Sequence, residues 1–412
     1  MTTQRMVYLL GGIIAILLVA WSAWFLFFKN SAPPLASQGT SSFGVGDDRT
    51  ITVTSSSGSD TGTNTVTSLP AVSGQTIFKI SDGPVTTATL IQTFNPTTTL
   101  ARYVLQENGH VFDQVLDSAG AVPRAISNTT IPGTMRGVWL GGSAVVLQYL
   151  DGATIKSVYL GFPPPATTTA PATRPVHITF LPDNIEDLAS SPDGASIAYL
   201  LTTAAGADGY TAKADGSNSK KLFSMPLSDF LITWPSASTL LLQTKNSSDA
   251  SGAAFSVNAQ SGGIVPLLYD SGLSAIANRT FSQIVYRTSD NGGSTYVHAV
   301  QAGTDTSLSF DPIPEKCVWS AVAAPVMYCA VPFQGLPANY LDLWHQGIAS
   351  LADTIFSFNT VTGDSVVVAS PGTDDGGVLS DIAEMNIAPD DSYLVFIKKG
   401  DRSLWGVRLT TH

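Results

Sequence analysis

The sequence predicts an all-β body, a seven-bladed β-propeller preceded by one N-terminal transmembrane helix and a disordered linker. Three observations predict it. An uncharged apolar run opens the chain, a Ser/Thr/Gly-rich tract follows, and the remainder is short apolar segments recurring between turns at near-regular spacing. Of 412 residues, 44% are hydrophobic, ample for a core, so disorder of the whole chain is excluded. Only 12% are charged, 20 basic against 31 acidic, for a net charge of −11. So sparse a supply of Lys and Arg excludes a phosphate-reading surface, and nucleic acid with it.

Residues 1–29 read as a transmembrane signal anchor. Met6 to Phe28 carries no charge and is bounded by Arg5 and Lys29. At about 1.5 Å per residue the run spans roughly 34 Å, enough to cross a bilayer with some tilt. Trp21, Trp24, Phe25, Phe27 and Phe28 gather at its far end as an interfacial belt. A cleaved signal peptide is the alternative, but its apolar core is about 7–15 residues and ends at small residues. A lipoprotein is excluded because the cysteines are Cys317 and Cys329 alone. The flanking charges nearly balance. The polar tether, the sparse lysine and the paired cysteines place the N-terminus in the cytoplasm and the body outside it. The expectation is a single-pass protein of the plasma membrane with a periplasmic or cell-surface propeller, held to the lipid bilayer by this helix.

Residues 30–75 are rich in Ser, Thr, Gly, Pro and Asn, as in Ser55-Ser56-Ser57-Gly58-Ser59. Such a tract buries too little to offset its conformational entropy and serves as a disordered spacer. Asp47, Asp48, Asp60 and Asn64 within it lack the spacing of a calcium loop.

From residue 76 to 412 no long stretch has a 3.6-residue apolar period, which makes this region all-β. Ser190-Ser191-Pro192-Asp193-Gly194 leads into the apolar strand Ile197-Ala198-Tyr199, and Ala388-Pro389-Asp390-Asp391-Ser392 leads into Leu394-Val395-Phe396. Proline presets φ at the second turn position, while Asp-Gly or Asp-Asp tolerates the φ that follows. Consecutive apolar residues suit a strand covered on both faces. Weaker copies end at Leu105, Leu147, Leu242, Tyr286 and Tyr328. With Tyr199 and Phe396 these give seven units, mostly at the 40–45-residue spacing of a four-stranded blade. The two long intervals hold the loop around Pro163–Thr169 and an insertion from about Val331 to Thr354. A pair of β-sandwiches with coincidental spacing is the alternative. One strand follows Phe396 before the chain ends, so the last blade lacks its outer strand. Thr76–Ile80, which precedes the inner strand Ala88–Gln92, can supply it and close the ring.

Ser-Pro-Asp-Gly followed by an apolar-apolar-aromatic strand resembles the TolB-type, WD-repeat-like β-propeller repeat, strongly over two repeats and in degenerate form over five. The run from Cys317-Val318-Trp319-Ser320 to Tyr328-Cys329-Ala330-Val331-Pro332 also resembles membrane-anchored propellers of small-genome bacteria. That second likeness implies no particular activity.

The sequence carries no nucleophile elbow, phosphate loop, dinucleotide fingerprint or zincin motif. His110, His177, His298, His345 and His412 are scattered without metal-ligand spacing, so neither a metal nor a cofactor is expected. No residues remain for the hydrolase domain of a prolyl oligopeptidase-type enzyme. Ser289 to Tyr296 is similar to the Asp-box turn of sialidase propellers, with Asn291 at the usual Asp position. The insertion carries the candidate recognition residues Tyr340, Asp342, Trp344 and His345, because such aromatics dominate binding hot spots. A short helix folding those aromatics over the blade edge is the competing reading. Glu186, Asp187, Asp229, Asp381 and Glu384 lie near candidate inner strands. The residues thus favour a non-enzymatic envelope propeller that binds a protein or polymer partner. An exported, glycosidase-like hydrolase working in the channel is the alternative.

Cys317 and Cys329 flank two short strands. A hairpin centred on Ala323 sets partners whose numbers sum to 646, which pairs 317 with 329 and points to a disulfide across one blade. Two buried thiols are the alternative, and a metal pair lacks further ligands.

Overall fold

A computed structural model describes residues 77–94, 97–118, 121–162, 176–290, 293–333, 339–371 and 380–409. The expected anchor (1–29) and linker (30–75) lie outside the described residues, as do the Pro/Thr loop (163–169) and part of the Asp-box segment (291–292). Among the described residues no helix is long and apolar enough to cross a membrane. The described residues form seven four-stranded antiparallel sheets, the blades of a propeller.

Strand β1 (Ile77–Ser81) comes first in the chain and belongs to the last blade. Blade 1 is β2 (Val85–Thr93), β3 (Thr98–Leu105), β4 (Val111–Val115) and β5 (Arg124–Ala125). Blade 2 is β6 (Thr134–Leu140), β7 (Ala144–Asp151), β8 (Thr154–Gly161) and β9 (His177–Phe180). Blade 3 is β10 (Ile185–Ser190), β11 (Ser196–Thr203), β12 (Gly206–Lys213) and β13 (Lys220–Met225). Blade 4 is β14 (Phe230–Ser236), β15 (Thr239–Thr244), β16 (Ser251–Asn258) and β17 (Ile264–Ser271). Blade 5 is β18 (Ser274–Ala277), β19 (Gln283–Thr288), β20 (Ser294–Ala299) and β21 (Thr304–Ser307). Blade 6 is β22 (Cys317–Trp319), β23 (Val326–Pro332), β24 (Asp353–Asn359) and β25 (Ser365–Ala369), with one helix, α1 (Tyr340–His345), in its middle loop. Blade 7 is β26 (Ile382–Ile387), β27 (Tyr393–Lys398) and β28 (Leu404–Arg408), completed by β1 in the order β1-β28-β27-β26.

All seven apolar motifs fall on the second strand of a blade. That strand is sandwiched between neighbouring blades, which is why its residues are apolar in succession. Residues 197–200 of β11 are buried, and so is the whole of β27. Register corrects one position. Tyr199, Leu147 and Phe396 face Leu188, Gly137 and Met385, one step beyond the inner-strand bulge. In blade 1 that step pairs Tyr103 with Ala88, so the equivalent residue is Tyr103, two before Leu105.

The two strong turns explain their own sequence. Gly194 has φ +70°, and a Cβ there would meet the backbone of Leu140 and Gly141 at under 3 Å. The Asp193 carboxylate accepts from the Ala195 amide (3.0 Å) and the Ser191 hydroxyl (2.6 Å). In blade 7 Asp391 takes the left-handed position at φ +56°, and its carboxylate accepts from the Ala321 amide of blade 6 (2.8 Å). Here a side chain does between blades what glycine's absence of one does elsewhere.

Cys317 and Cys329 are register partners and form the disulfide, with Cα atoms 4.1 Å apart. The Ser320 amide donates to the Val326 carbonyl, so hydrogen-bonded pairs fall at 320/326 and 318/328. The cysteines therefore occupy the closer, non-hydrogen-bonded kind of pair.

Candidate functional site

The inner strands begin on one face of the ring, where the loops between second and third strands also emerge. Polar side chains converge there because the inner strand enters with a bulge in blades 1, 2, 3 and 7. The residue after each bulge is Thr87, Arg136, Asp187 or Glu384, and Cys317 holds the matching register in blade 6.

Charges at this mouth are paired. Arg136 meets Asp187, and Lys245 lies 2.7 Å from Glu186 and 3.4 Å from Asp229. Arg402 lies 3.1 Å from Glu384. Burial opposes the charge on Lys245, but Glu186 and Asp229 outweigh it and hold its pKa above the ordinary lysine value. Burial pushes the Glu384 carboxyl up against the pull of Arg402 and Arg136. The Glu384 side chain is still 47% exposed, because it stands in a concave channel wall, surrounded by protein yet wetted. That wall encloses a cavity of about 340 Å³ lined by Thr87, Gly137, Glu315, Cys317, Glu384 and Asn386. A larger, shallow groove lies on the opposite face between blades 5 and 6, against Gln283, Pro325 and Val361, away from these charges.

The insertion forms α1, and its residues take separate roles. Tyr340 is 2% exposed and Trp344 6%, so both aromatics turn into the protein. The Asp342 carboxylate accepts from the Ser248 amide of blade 4 (3.0 Å). His345 Nε2 lies 3.0 Å from Glu315, which raises the imidazole pKa. Trp344 Nε1 donates to both oxygens of Asp381 (2.9 and 3.0 Å), and the Lys399 ammonium sits 4.0 Å over the indole and donates to the Trp344 carbonyl. One short helix thereby ties blades 4, 6 and 7 together on the mouth face.

Beneath Trp344 lies a charge cluster that sequence inspection did not single out. Lys316 is fully buried and reaches Asp353 (2.7 Å) and Asp381 (2.6 Å). Burial raises the Asp353 carboxyl even against Lys316, while its Oδ2 also accepts the Ile382 amide (2.7 Å). Lys316 had no distinguishing local signal; only the fold brings two acids from residues 37 and 65 positions away onto it. Asp381 was singled out for the channel and instead anchors this cluster. Among the described residues, no group of three or more His, Cys, Asp or Glu could hold a metal ion.

No family model matches the chain, and no curated protein matches it in sequence. Solved structures do. TolB from Acinetobacter baumannii is 8% identical over 68% of this chain and 77% of that one, with a TM-score of 0.41. An oligogalacturonate lyase in complex with manganese is 11% identical over 79% and 97%, TM-score 0.47. The tricorn protease is 9% identical over 81% of this chain and 34% of its own, TM-score 0.48. The likeness is one of fold. TolB and other propeller proteins are among the structures this chain is similar to, and its own seven blades make it a seven-bladed β-propeller.

Proposed function

We propose that this chain is a membrane-anchored, extracytoplasmic propeller that binds a protein or polymer partner of the cell envelope through the channel-mouth face. One observation carries the binding reading: the carboxylates Glu186, Asp187, Asp229 and Glu384 each face a cation across the mouth. Hydrolysis with two carboxylates needs one acid protonated and the other ionised on opposite sides of a bond. Acids already committed to guanidinium and ammonium groups form instead a polar recognition rim, with Arg136 and Lys245 more than two-fifths exposed. Such rim charges steer and orient partners. The membrane anchor and the export of the body rest on the apolar run at Met6–Phe28 and, for export, on the disulfide, since such bonds persist in oxidising compartments.

The test is capture from membranes of the native host with the full chain, beside Lys245→Glu. A partner recovered by the wild type and lost with the variant supports the reading. Identical recovery by both and by bare resin refutes it. Protease added to permeabilised cells should digest the body; protection until lysis reverses the topology.

A second reading rests on Glu384, a carboxyl beside a channel cavity that burial pushes above its ordinary value, the direction a general acid needs. Glycan hydrolysis by the wild type, lost in Glu384→Gln with an unchanged thermal midpoint, would establish it.

A further inference from the structure

Polar side chains bridge neighbouring blades all the way round the ring, between blades 5 and 6 through Thr360 and Gln283 (2.9 Å). Thr86 meets Thr134 (2.6 Å) between blades 1 and 2, and Gln148 donates to the Ile185 carbonyl (3.0 Å) between blades 2 and 3. Asp187 accepts the Ile232 amide (2.7 Å) between blades 3 and 4, and Gln243 bonds both amide (2.9 Å) and carbonyl (3.1 Å) of Ala275 between blades 4 and 5. Asp353 joins blade 6 to 7, and Arg402 donates to Val85 and Thr86 carbonyls to join blade 7 to 1.

Between blades 5 and 6 the second-strand position that holds Gln148 and Gln243 elsewhere is Arg287, paired with Ser274 of the inner strand. Arg287 is 4% exposed, and among the described residues no carboxylate lies within ion-pair distance of it. Its guanidinium donates to the Thr288 carbonyl (3.2 Å), lies 5.1 Å over the Tyr340 ring, and rests against Gly293, where a Cβ would overlap it. Its Nε has no partner. Nor have two other buried donors, the hydroxyl of that Tyr340 and Ser248 Oγ. Ser248 is tied to both surroundings: its carbonyl accepts from Ser289 (2.8 Å) and its amide donates to Asp342 (3.0 Å). Burial pushes the Tyr340 hydroxyl up, which keeps its proton available for donation. The acids of this region are engaged elsewhere, Glu315 with His345 and Asn246, Asp342 with Ser248, and Asp311 with the Thr295 amide.

A buried charge without a counter-charge is strongly disfavoured, and a ring face compensates far less than an anion. Arg287 Nε, the Tyr340 hydroxyl and Ser248 Oγ, three buried donor atoms without a partner, call for an acceptor. We propose that Arg287, Tyr340 and Ser248 bind a small monovalent anion of about chloride size, held between blades 5 and 6 beneath helix α1. The site adds to a junction that Thr360 and Gln283 (2.9 Å) and Ser274 and Glu315 (3.3 Å) already bridge, and it makes docking of the mouth-face helix dependent on the anion. It stands independently of the binding reading above.

The test follows the thermal midpoint of the full chain as chloride replaces isethionate at constant ionic strength, for the wild type, Arg287→Gln and Tyr340→Phe. The wild-type midpoint should rise by a few degrees, as expected for a ligand bound to the native state alone. Arg287→Gln, which copies blades 2 and 4, should exceed the wild type without chloride and lose the dependence. Tyr340→Phe should keep its fold and respond more weakly, so the test survives if the arginine variant fails to fold. Crystals grown with bromide should show an anomalous peak at the Arg287 guanidinium. A chloride-independent wild-type midpoint overturns the proposal, as does a bromide-insensitive water at that position.

Discussion

Removing β1 should open the ring. Two pieces isolate the effect, residues 77–412 and 83–412, because both lack the apolar run and the tether and only the first retains β1. The strand buries Ile77 (7% exposed) and Ile80 (9% exposed), and packs Phe78 edge-on against Tyr393 at 6.2 Å between ring centroids. At roughly 1.5–3 kcal/mol per buried apolar side chain, two full and one partial burial amount to about 4–7 kcal/mol. At about 2 °C per kcal/mol for a body of this size, the midpoint should fall by about 8–14 °C. The ladder partners of Ile77, Phe78, Lys79 and Ser81 on β28 would become a free edge, so the shorter piece should also self-associate on heating. Thermal unfolding by circular dichroism, with light scattering in parallel, measures both. Midpoints that coincide would refute closure by β1, since a strand that merely rests on the edge carries no such burial.

Three further perturbations test other parts of the reasoning. Replacing both Cys317 and Cys329 by alanine should cost on the order of 3 kcal/mol, the chain-entropy value for so short a loop, and alkylation of the native protein without reductant should label neither cysteine. Lys316→Met should cost about 3–5 kcal/mol by stranding Asp353 and Asp381 without their cation, with a larger loss at neutral than at acid pH, where Asp353, whose carboxyl burial pushes up, takes up a proton; equal losses at both would refute the buried-charge account. Glu315 raises the His345 pKa above 6.5 although burial opposes it, so the stability from that contact is full below about pH 6.5 and fades as pH rises through the raised folded value. His345→Gln should therefore flatten the pH dependence of helix docking seen by hydrogen exchange across α1, and an unchanged profile would count against it.

Much of the fold was legible in the sequence because a propeller repeats local rules. Each second strand is covered on both faces and reads as an apolar run, so Tyr199, Leu242, Tyr286, Tyr328 and Phe396 marked their blades. The turn residues Asp193-Gly194 and Asp390-Asp391 announced the hairpins because only some residues accept a positive φ. The disulfide was arithmetic, since a hairpin register fixes which residues face each other. Closure by β1 followed from the spare apolar strand ahead of the first inner strand, which pairs with β28. Blade 1 misled by two residues, because the apolar run of β3 continues past Tyr103 through Val104 to Leu105, so its last large residue lies beyond the equivalent position. Charge partners were beyond reach. Lys316 meets acids 37 and 65 residues away, and Arg287 faces Tyr340 from another blade. Nothing local distinguishes a buried lysine from a solvated one, or an aromatic loop that recognises from one that covers. Those properties belong to surfaces that exist only once the ring has closed: the sequence determined the blades, and the tertiary structure decided which charges they bury together.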